Sequence, residues 1–524
     1  MVIVMKRLAL YPFLFVLFLV LTPLSRNWDQ LDPAQALRPL LILCLVTGLA
    51  LSFFYLLFRD WQYAAYLAFL LILFFFGYAY LNRFTREQFL NFGLSTEPRL
   101  WLALWVILLL ALAARPVWRR LGGRTRLVSY LNIVIALELL FPVYGLAAVQ
   151  THIHVQSRRL TRTITTNFGD VSLDCSTTPD IYYLVLDGYG RADMLADLYG
   201  FNNKAFLEYL ESRGFYVASG SFTNYIQTIY SIPSSLNFNY IEPPGEDVQG
   251  QLYFSGLMRH NAVMAALKRC GYRTVAIQSG FYFTNNPQAD VSLSPGIGLD
   301  EFESLLLADS PIDVLSDELH LGPLANSYGG HRQRISYAFE KLQALPRMSG
   351  PKFVFAHILS PHPPFVFDQS GQPLQPPYAY YIGDGDDYQG NLDEYRSAYP
   401  AQMQFVNSQL EQVIDSILEN SSSPPVIILQ GDHGPGSRLV WDAPSKTCLW
   451  ERTPILNAYY LPGGGDDLLY PSISPVNSFR VVLNAYFDAD LPLLPDKTYF
   501  TSHDLDLQAI DITQDRSSRA NCSP

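Results

Sequence analysis

The chain has 524 residues, 49% of them apolar and 16% charged, with a formal net charge of −11. An acidic chain with no basic stripe in its second half excludes nucleic acid as a partner, because phosphate contacts need clustered Lys and Arg. Its five cysteines include no CxxC pair, which excludes zinc-ribbon and dithiol redox motifs.

The apolar excess lies before about residue 150. Charge-free runs separate Arg7 from Arg26, Arg38 from Arg59, and Asp60 from Arg83. A fourth follows Arg99 and ends near Arg115, and a fifth follows Arg126 to about Gln150, broken only by Glu138. A bilayer core takes roughly 20 apolar residues as helix, and the fourth run reaches that length if Arg115 snorkels to the interface. The spacing predicts five transmembrane helices within 1–150. Five buried helices of a soluble protein would show polar faces, which these lack. A cleaved signal peptide fits poorly, since the first run has no small-residue cleavage site.

Lys6 and Arg7 precede the first run, and Arg115, Arg119, Arg120, Arg124 and Arg126 fill the loop between the fourth and fifth. Five spans put both groups on one side, the cytoplasmic one, and put everything after about residue 150 outside. Arg83, Arg86 and Arg99 fall in an outer loop with Glu87 and Glu97. A charged carboxylate at mid-span costs about 2.5–3.5 kcal/mol. Glu138 is therefore expected to face other helices, bonded to Asn132 or to a neighbouring span. The alternative is contact with a substrate head group or a proton.

Residues 151–179 are polar, carry Arg158, Arg159 and Arg162, and read as a juxtamembrane connector. Short apolar runs then alternate with helical stretches. Residues 180–186 (DIYYLVL), 274–278, 353–358, 426–430 and 455–461 read as strands, and 203–213, 262–270 and 401–418 as helices. That alternation predicts an α/β domain over 180–514, with a mostly parallel sheet covered by helices on both faces. Residues 366–394, rich in Tyr, Pro, Gly and Asp, read as a long surface insertion, and 515–524 as a disordered tail. Cys44 lies in an apolar run. Spacing does not choose a disulfide among Cys175, Cys270, Cys448 and Cys522.

In open α/β sheets function gathers at the carboxyl ends of strands. The first strand ends at Asp187-Gly188-Tyr189-Gly190, and the 426–430 strand ends at Gly431-Asp432-His433-Gly434. The 353–358 strand carries His357 and runs on to His362. Carboxylates with imidazole suit zinc or manganese. Between the first two strands lies a hydroxyl-rich stretch with Thr228, Ser231 and Ser234. A hydroxyl opening a helix sits where backbone N–H groups hold an anion, and beside a metal it becomes a nucleophile. Alone, each piece is more often a turn or a helix cap. Their combination at successive strand ends points to a metal site.

At these residues the chain resembles the alkaline-phosphatase/sulfatase superfamily, and within it the membrane-bound lipoteichoic acid synthases and lipid A phosphoethanolamine transferases. Their layout is similar: five spans, a connector and an alkaline-phosphatase-like α/β domain. The resemblance implies one divalent metal, zinc or manganese, with magnesium or calcium the alternative, bound by Asp187, Thr228, Asp432 and His433. It makes Thr228 the nucleophile, with Ser231 the alternative, and puts His362, less strongly His357, near the substrate. Ser231-Ile232-Pro233-Ser234 resembles the sulfatase activation motif, but Ser235 stands where that pattern has Arg, and Gly188 replaces the second Asp of a sulfatase pair. Only His503 follows His433, which argues against a second metal site.

The function this implies is a phosphotransferase or phosphodiesterase acting on lipid or glycolipid head groups through a phosphothreonine. The chain would sit in the cell (inner) membrane as a multi-pass protein, with its catalytic domain periplasmic or extracellular. The rivals are a sulfatase and an inactive module that binds an envelope glycan. A transporter is disfavoured, because the spans carry few polar groups.

Overall fold

The computed structural model describes residues 8–26, 36–90, 98–120, 126–147, 172–241, 250–295, 301–308, 310–311, 328–378, 380–502 and 508–522. Lys6, Arg7, Arg124, the expected connector as far as 171, and His503 lie outside them. The chain forms two compact units, one of residues 1–155 with 297–330 and the other of 156–296 with 331–524.

The first unit is helical. Leu37–Phe58, Trp61–Tyr78 and Arg126–Ala147 are long and apolar enough to cross a membrane, and Tyr11–Arg26 and Leu102–Ala113 are shorter apolar helices. On Leu37–Phe58 the side chains of Leu41, Leu45, Leu49 and Leu56 are exposed, which suits a lipid environment and not water. Ala9, Tyr11, Tyr63, Trp118 and Val128 share one apolar cluster. The starts of Tyr11–Arg26, Trp61–Tyr78 and Arg126–Ala147 therefore gather at one end of the unit. Asn132 does not pair with Glu138 as expected. Its Oδ1 accepts from the amides of Leu10 and Tyr11, at 3.1 and 2.8 Å, and its Nδ2 donates to the Leu8 carbonyl at 2.8 Å. The amide is spent on the orphan groups that open a helix.

A short helix from the second half of the sequence, Glu301–Ala308, belongs to this unit. Its Phe302 and Leu306 pack among Val16, Val20, Leu24, Ile72 and Phe76. Arg38 donates to both carboxylate oxygens of Glu303, each at 2.6 Å.

The second unit is built on a seven-stranded sheet. Its strands are β1 (Ile181–Leu186), β2 (Tyr216–Val217), β3 (Arg273–Ile277), β4 (Val291–Leu293), β5 (Lys352–Ile358), β6 (Val426–Gly431) and β7 (Asn457–Tyr460). The order is β2-β7-β6-β1-β5-β3-β4, with β6, β1, β5, β3 and β4 parallel. Every residue of β1, β5 and β6 is buried, as expected when helices cover both faces. The mostly parallel sheet agrees with the sequence pattern. However, β7 runs antiparallel to β6, and β2 antiparallel to β7. Between β6 and β7 stand loops, the 3-10 turn Pro444–Lys446 and the four-residue helix Leu449–Arg452, too little for a covering crossover helix. A small antiparallel pair, β8 (Tyr499–Thr501) and β9 (Ala509–Asp511), completes the strands among the described residues.

Two expectations need correction. The 366–394 stretch is more than a surface insertion, since its Asp384 is 4% exposed. The tail after Asp515 is held in place: Cys522 is bonded to Cys448, and the Ser518 carbonyl accepts from the Trp450 amide at 3.0 Å. The second disulfide joins Cys175 to Cys270.

Candidate metal and nucleophile site

Strand register builds the site. Leu186 of β1 pairs with Gly431 of β6, so Asp187 and Asp432, each one residue further on, emerge side by side. On the other side of β1, Val185 pairs with His357 of β5. The loop after β6 has no room for a side chain at Gly434. A Cβ on Gly434 would lie 2.2 Å from the Glu451 carbonyl oxygen.

Asp432 Oδ1 accepts from the amides of Gly188 and His433, at 3.0 and 2.9 Å. That fixes the carboxylate and turns Oδ2 inward. Asp432 Oδ2, Asp187 Oδ1 and His357 Nε2 are all buried with no hydrogen-bond partner among the described residues. The ligand atoms of Asp187, His357 and Asp432 lie within 4.8 Å of one another. His433 Nε2 stands 3.6 Å from Asp187 and 3.4 Å from Asp432. Leaving a buried polar atom unsatisfied costs about 1–3 kcal/mol, and here three such atoms converge. Two carboxylates and two imidazoles form a donor set suited to zinc or manganese. The residues fit a divalent cation.

Thr228 opens the helix Thr228–Leu236. The extended Gln227 before it accepts at its carbonyl from the Tyr230 and Ser231 amides, at 3.1 and 2.9 Å. The amides of Thr228 and Ile229 head the helix beside the cleft, where partial positive charge concentrates. Thr228 Oγ1 lies 3.1 Å from His433 Nε2. Ser231, one turn on, donates its hydroxyl to the Asp432 main-chain carbonyl at 2.7 Å and is 1% exposed. Ser234 donates to the Asn239 carbonyl at 2.8 Å, and Ser235 to that of Pro475 at 3.1 Å.

A cleft of about 180 Å³ opens over Thr228, lined also by Asp187, His362, Asp384, His433 and Arg452. At about 30 Å³ per water this is room for roughly six waters, enough for a phosphate-sized group. His362 Nε2 stands 3.9 Å from Asp384 Oδ2. Arg452, 2% exposed, donates from Nη1 to Asp384 at 2.6 Å and to the Gly434 carbonyl at 3.0 Å. Its Nε donates to the Ile226 carbonyl at 2.9 Å, and its Nη2 lies 3.2 Å from His433 Nε2. Burial, then the Arg452 guanidinium, holds the His433 imidazole below its ordinary range and so neutral. Burial would push the Asp187 carboxyl up, but His362, His357 and His433 pull it below the ordinary carboxylate range.

The structure thus brings Asp187, Thr228, Asp432 and His433 together, and His362 lines the same cleft, its amide donating to the Asp187 carbonyl at 3.0 Å. His357, expected near the substrate, instead faces the two carboxylates, with its side chain fully buried. The hydroxyl of Ser231, also expected at the substrate, is turned away onto a main-chain carbonyl. Sequence reasoning missed Asp384 and Arg452. Asp384 sits in a Gly-Asp stretch that reads as a solvated loop, and nothing in Glu451-Arg452-Thr453-Pro454 marks a buried cation.

The sulfatase family profile matches residues 179–474. Among solved structures, the periplasmic domain of EptC from Escherichia coli in complex with zinc is similar at 12% identity, with a TM-score of 0.42, covering 67% of this chain and 98% of that one. The lipooligosaccharide phosphoethanolamine transferase A (EptA) of Neisseria meningitidis is similar at 12% identity and a TM-score of 0.37, over 92% of this chain and 95% of that one. The phosphonate monoester hydrolase of Agrobacterium radiobacter is similar at 14% identity and a TM-score of 0.38, over 62% and 80%. No curated protein matches.

Proposed function

The chain belongs to the sulfatase family, and from that premise we propose a membrane-anchored, metal-dependent phosphotransferase or phosphodiesterase acting on lipid or envelope-glycan head groups. One observation carries the reading: Thr228, and not Ser231, presents its hydroxyl to the cleft beside the Asp187, His357, Asp432 and His433 cluster. The sulfatase-like motif offers Ser231 as the reacting residue, and that hydroxyl is committed to the Asp432 carbonyl. This favours phosphoryl transfer through Thr228 over sulfuric ester hydrolysis.

When bound, a divalent cation, zinc or manganese, lowers the pKa of a neighbouring hydroxyl and offsets charge on phosphoryl oxygens. Asp187, His357, Asp432 and His433 would hold one such ion, with Thr228 next to it. Thr228 gives up its proton to solvent in the cleft, and its oxygen bonds to phosphorus in line with the departing alcohol. The bond to that alcohol breaks, and His362 stands in the cleft where the leaving oxygen is protonated. The amides heading the Thr228 helix and His362 offset charge on the phosphoryl oxygens. A second alcohol or water then takes the group from phosphothreonine.

The setting proposed is a multi-pass protein of the cell (inner) membrane with five spans in 1–150, a connector over 151–179 and an outer catalytic domain from 180. Support comes from the gathering of three helix starts at one end of the first unit, which alternating passes require. The two disulfides add to it, because disulfides persist outside the cytoplasm. Mass spectrometry of the peptide holding Thr228 and Ser231, after incubation with membrane lipids, tests the reading. A phosphoryl-linked adduct on Thr228 is expected, and turnover of a lipid ester with the adduct on Ser231 overturns it.

A further inference from the structure

We propose that Arg452 is a substrate-contacting residue, whose Nη2 edge binds a non-bridging oxygen of the group transferred to Thr228. The assignment rests on the reading of Thr228 as the acceptor of that group.

The guanidinium has five N–H bonds, and their directions divide its work. Nε goes to the Ile226 carbonyl, and Nη1 to Asp384 and the Gly434 carbonyl. These bonds lock the plane of the group. Nη2 is left with two hydrogens and, among the described residues, one contact, His433 Nε2 at 3.2 Å. That same imidazole nitrogen is 3.1 Å from Thr228 Oγ1, so the Nη2 edge lies next to the nucleophile. A His433 Nε2 committed to a cation has no lone pair for Arg452, and the Nη2 hydrogen aimed at it is then free for another acceptor in the cleft that Arg452 lines.

Asp384 Oδ1 accepts from the Tyr395 hydroxyl at 2.9 Å and its Oδ2 from Arg452 Nη1 at 2.6 Å. The carboxylate sits behind the guanidinium and orients it. The motif position where sulfatases carry Arg holds Ser235, which is fully buried and bonded to a main-chain carbonyl. The short helix Leu449–Arg452 thus supplies from another part of the chain a planar cation that the nucleophile helix lacks. A guanidinium already held by hydrogen bonds to Ile226, Asp384 and Gly434 presents its remaining N–H groups to an oxyanion with less ordering cost than a mobile ammonium would.

The test uses the full-length protein in detergent, with bis(p-nitrophenyl) phosphate as substrate and orthovanadate as a mimic of the five-coordinate phosphoryl group. Two variants are compared, Arg452→Lys and the double change Arg452→Met with Asp384→Asn, which leaves no unpaired buried charge if the single variant fails to fold. Both are expected to lose about 10²-fold in kcat, the scale of one lost oxyanion donor. Metal content should stay at the wild-type level, and the thermal stabilisation given by orthovanadate should disappear. A folded variant that keeps its metal, its orthovanadate stabilisation and kcat within about threefold of wild type overturns the assignment. Loss of metal along with activity makes Arg452 a brace for His433 and overturns it as well. If the wild-type protein turns over no phosphodiester, the proposed function fails, and the orthovanadate stabilisation still decides the role of Arg452.

Discussion

Thr284 Oγ1 lies 2.9 Å from Nδ1 of His357, and its own hydrogen has the Phe281 carbonyl within reach at 3.3 Å. When that hydrogen goes to the Phe281 carbonyl or to Ser279 Oγ, 3.0 Å away, the hydroxyl accepts from the imidazole Nδ1–H, and the Nε2 lone pair of His357 is then aimed at Asp187 and Asp432. A metal-binding histidine is ordinarily held by such an outer partner, and losing one lowers metal affinity by about 10–100-fold. Thr284→Val is expected to weaken zinc retention on that scale in a chelator competition. Unchanged retention would remove His357 from the ligand set.

The two histidines of β5 and its following loop should separate by metal content. His357→Ala and Asp432→Asn should each strip most of the bound ion, measured by elemental analysis of purified protein. His362→Ala should leave the ion in place and lower turnover. If His362→Ala loses the metal and His357→Ala does not, the two roles are exchanged.

Thr228→Ala should hold metal as the wild type does and show no turnover. Ser231→Ala should turn over substrate at close to the wild-type rate. Ser231 gives up a hydrogen bond to the Asp432 carbonyl, which still accepts from Thr223 Oγ1 at 2.6 Å. The expected stability loss is about 1 kcal/mol, read from denaturant unfolding. Full activity in the alanine variant at 228 would exclude it as the nucleophile.

His331 is fully buried in the helix Tyr328–Ala344, and neither ring nitrogen has a hydrogen-bond partner among the described residues. Burial, then the charges of Arg334 and His362, push its pKa from 6.5 to about 3. The unfolded chain binds this proton at a higher pH than the folded one. The contribution of His331 is thus complete above pH 6.5 and is lost as pH falls toward about 3. His331→Phe should flatten that part of the profile in thermal melts between pH 7 and 4. An unchanged slope would mean that the imidazole is protonated in the fold.

Much of the site was legible because β-sheet register is a simple rule. Residues just past the ends of adjacent parallel strands must be neighbours, and this brings Asp187 to Asp432 from positions far apart in the chain. Thr228 was legible because a hydroxyl before a helix has a physical use. His357 was harder to read. It lies one residue inside its strand, and only the pairing with Val185 shows that it faces the carboxylates. Asp384 and Arg452 were not legible, because each is buried by a partner that local sequence does not reveal. The reversal of β7 was missed for a similar reason, since an apolar run carries no mark of strand direction. Asn132 looked like a partner for Glu138 by spacing, yet the unmet amides of Leu10 and Tyr11 took it.

The packing of Glu301–Ala308 with the apolar helices of the first unit has a practical result for anyone wishing to handle the second half of the chain by itself. A truncated form beginning at residue 172 would still carry Phe302 and Leu306 but not Val16, Val20, Ile72 or Phe76, which cover them. It would also leave Glu303 without the guanidinium of Arg38. Such a fragment would show a sticky helix to water and self-associate. Clean solubility requires either the whole polypeptide in detergent or polar replacements at 302 and 306.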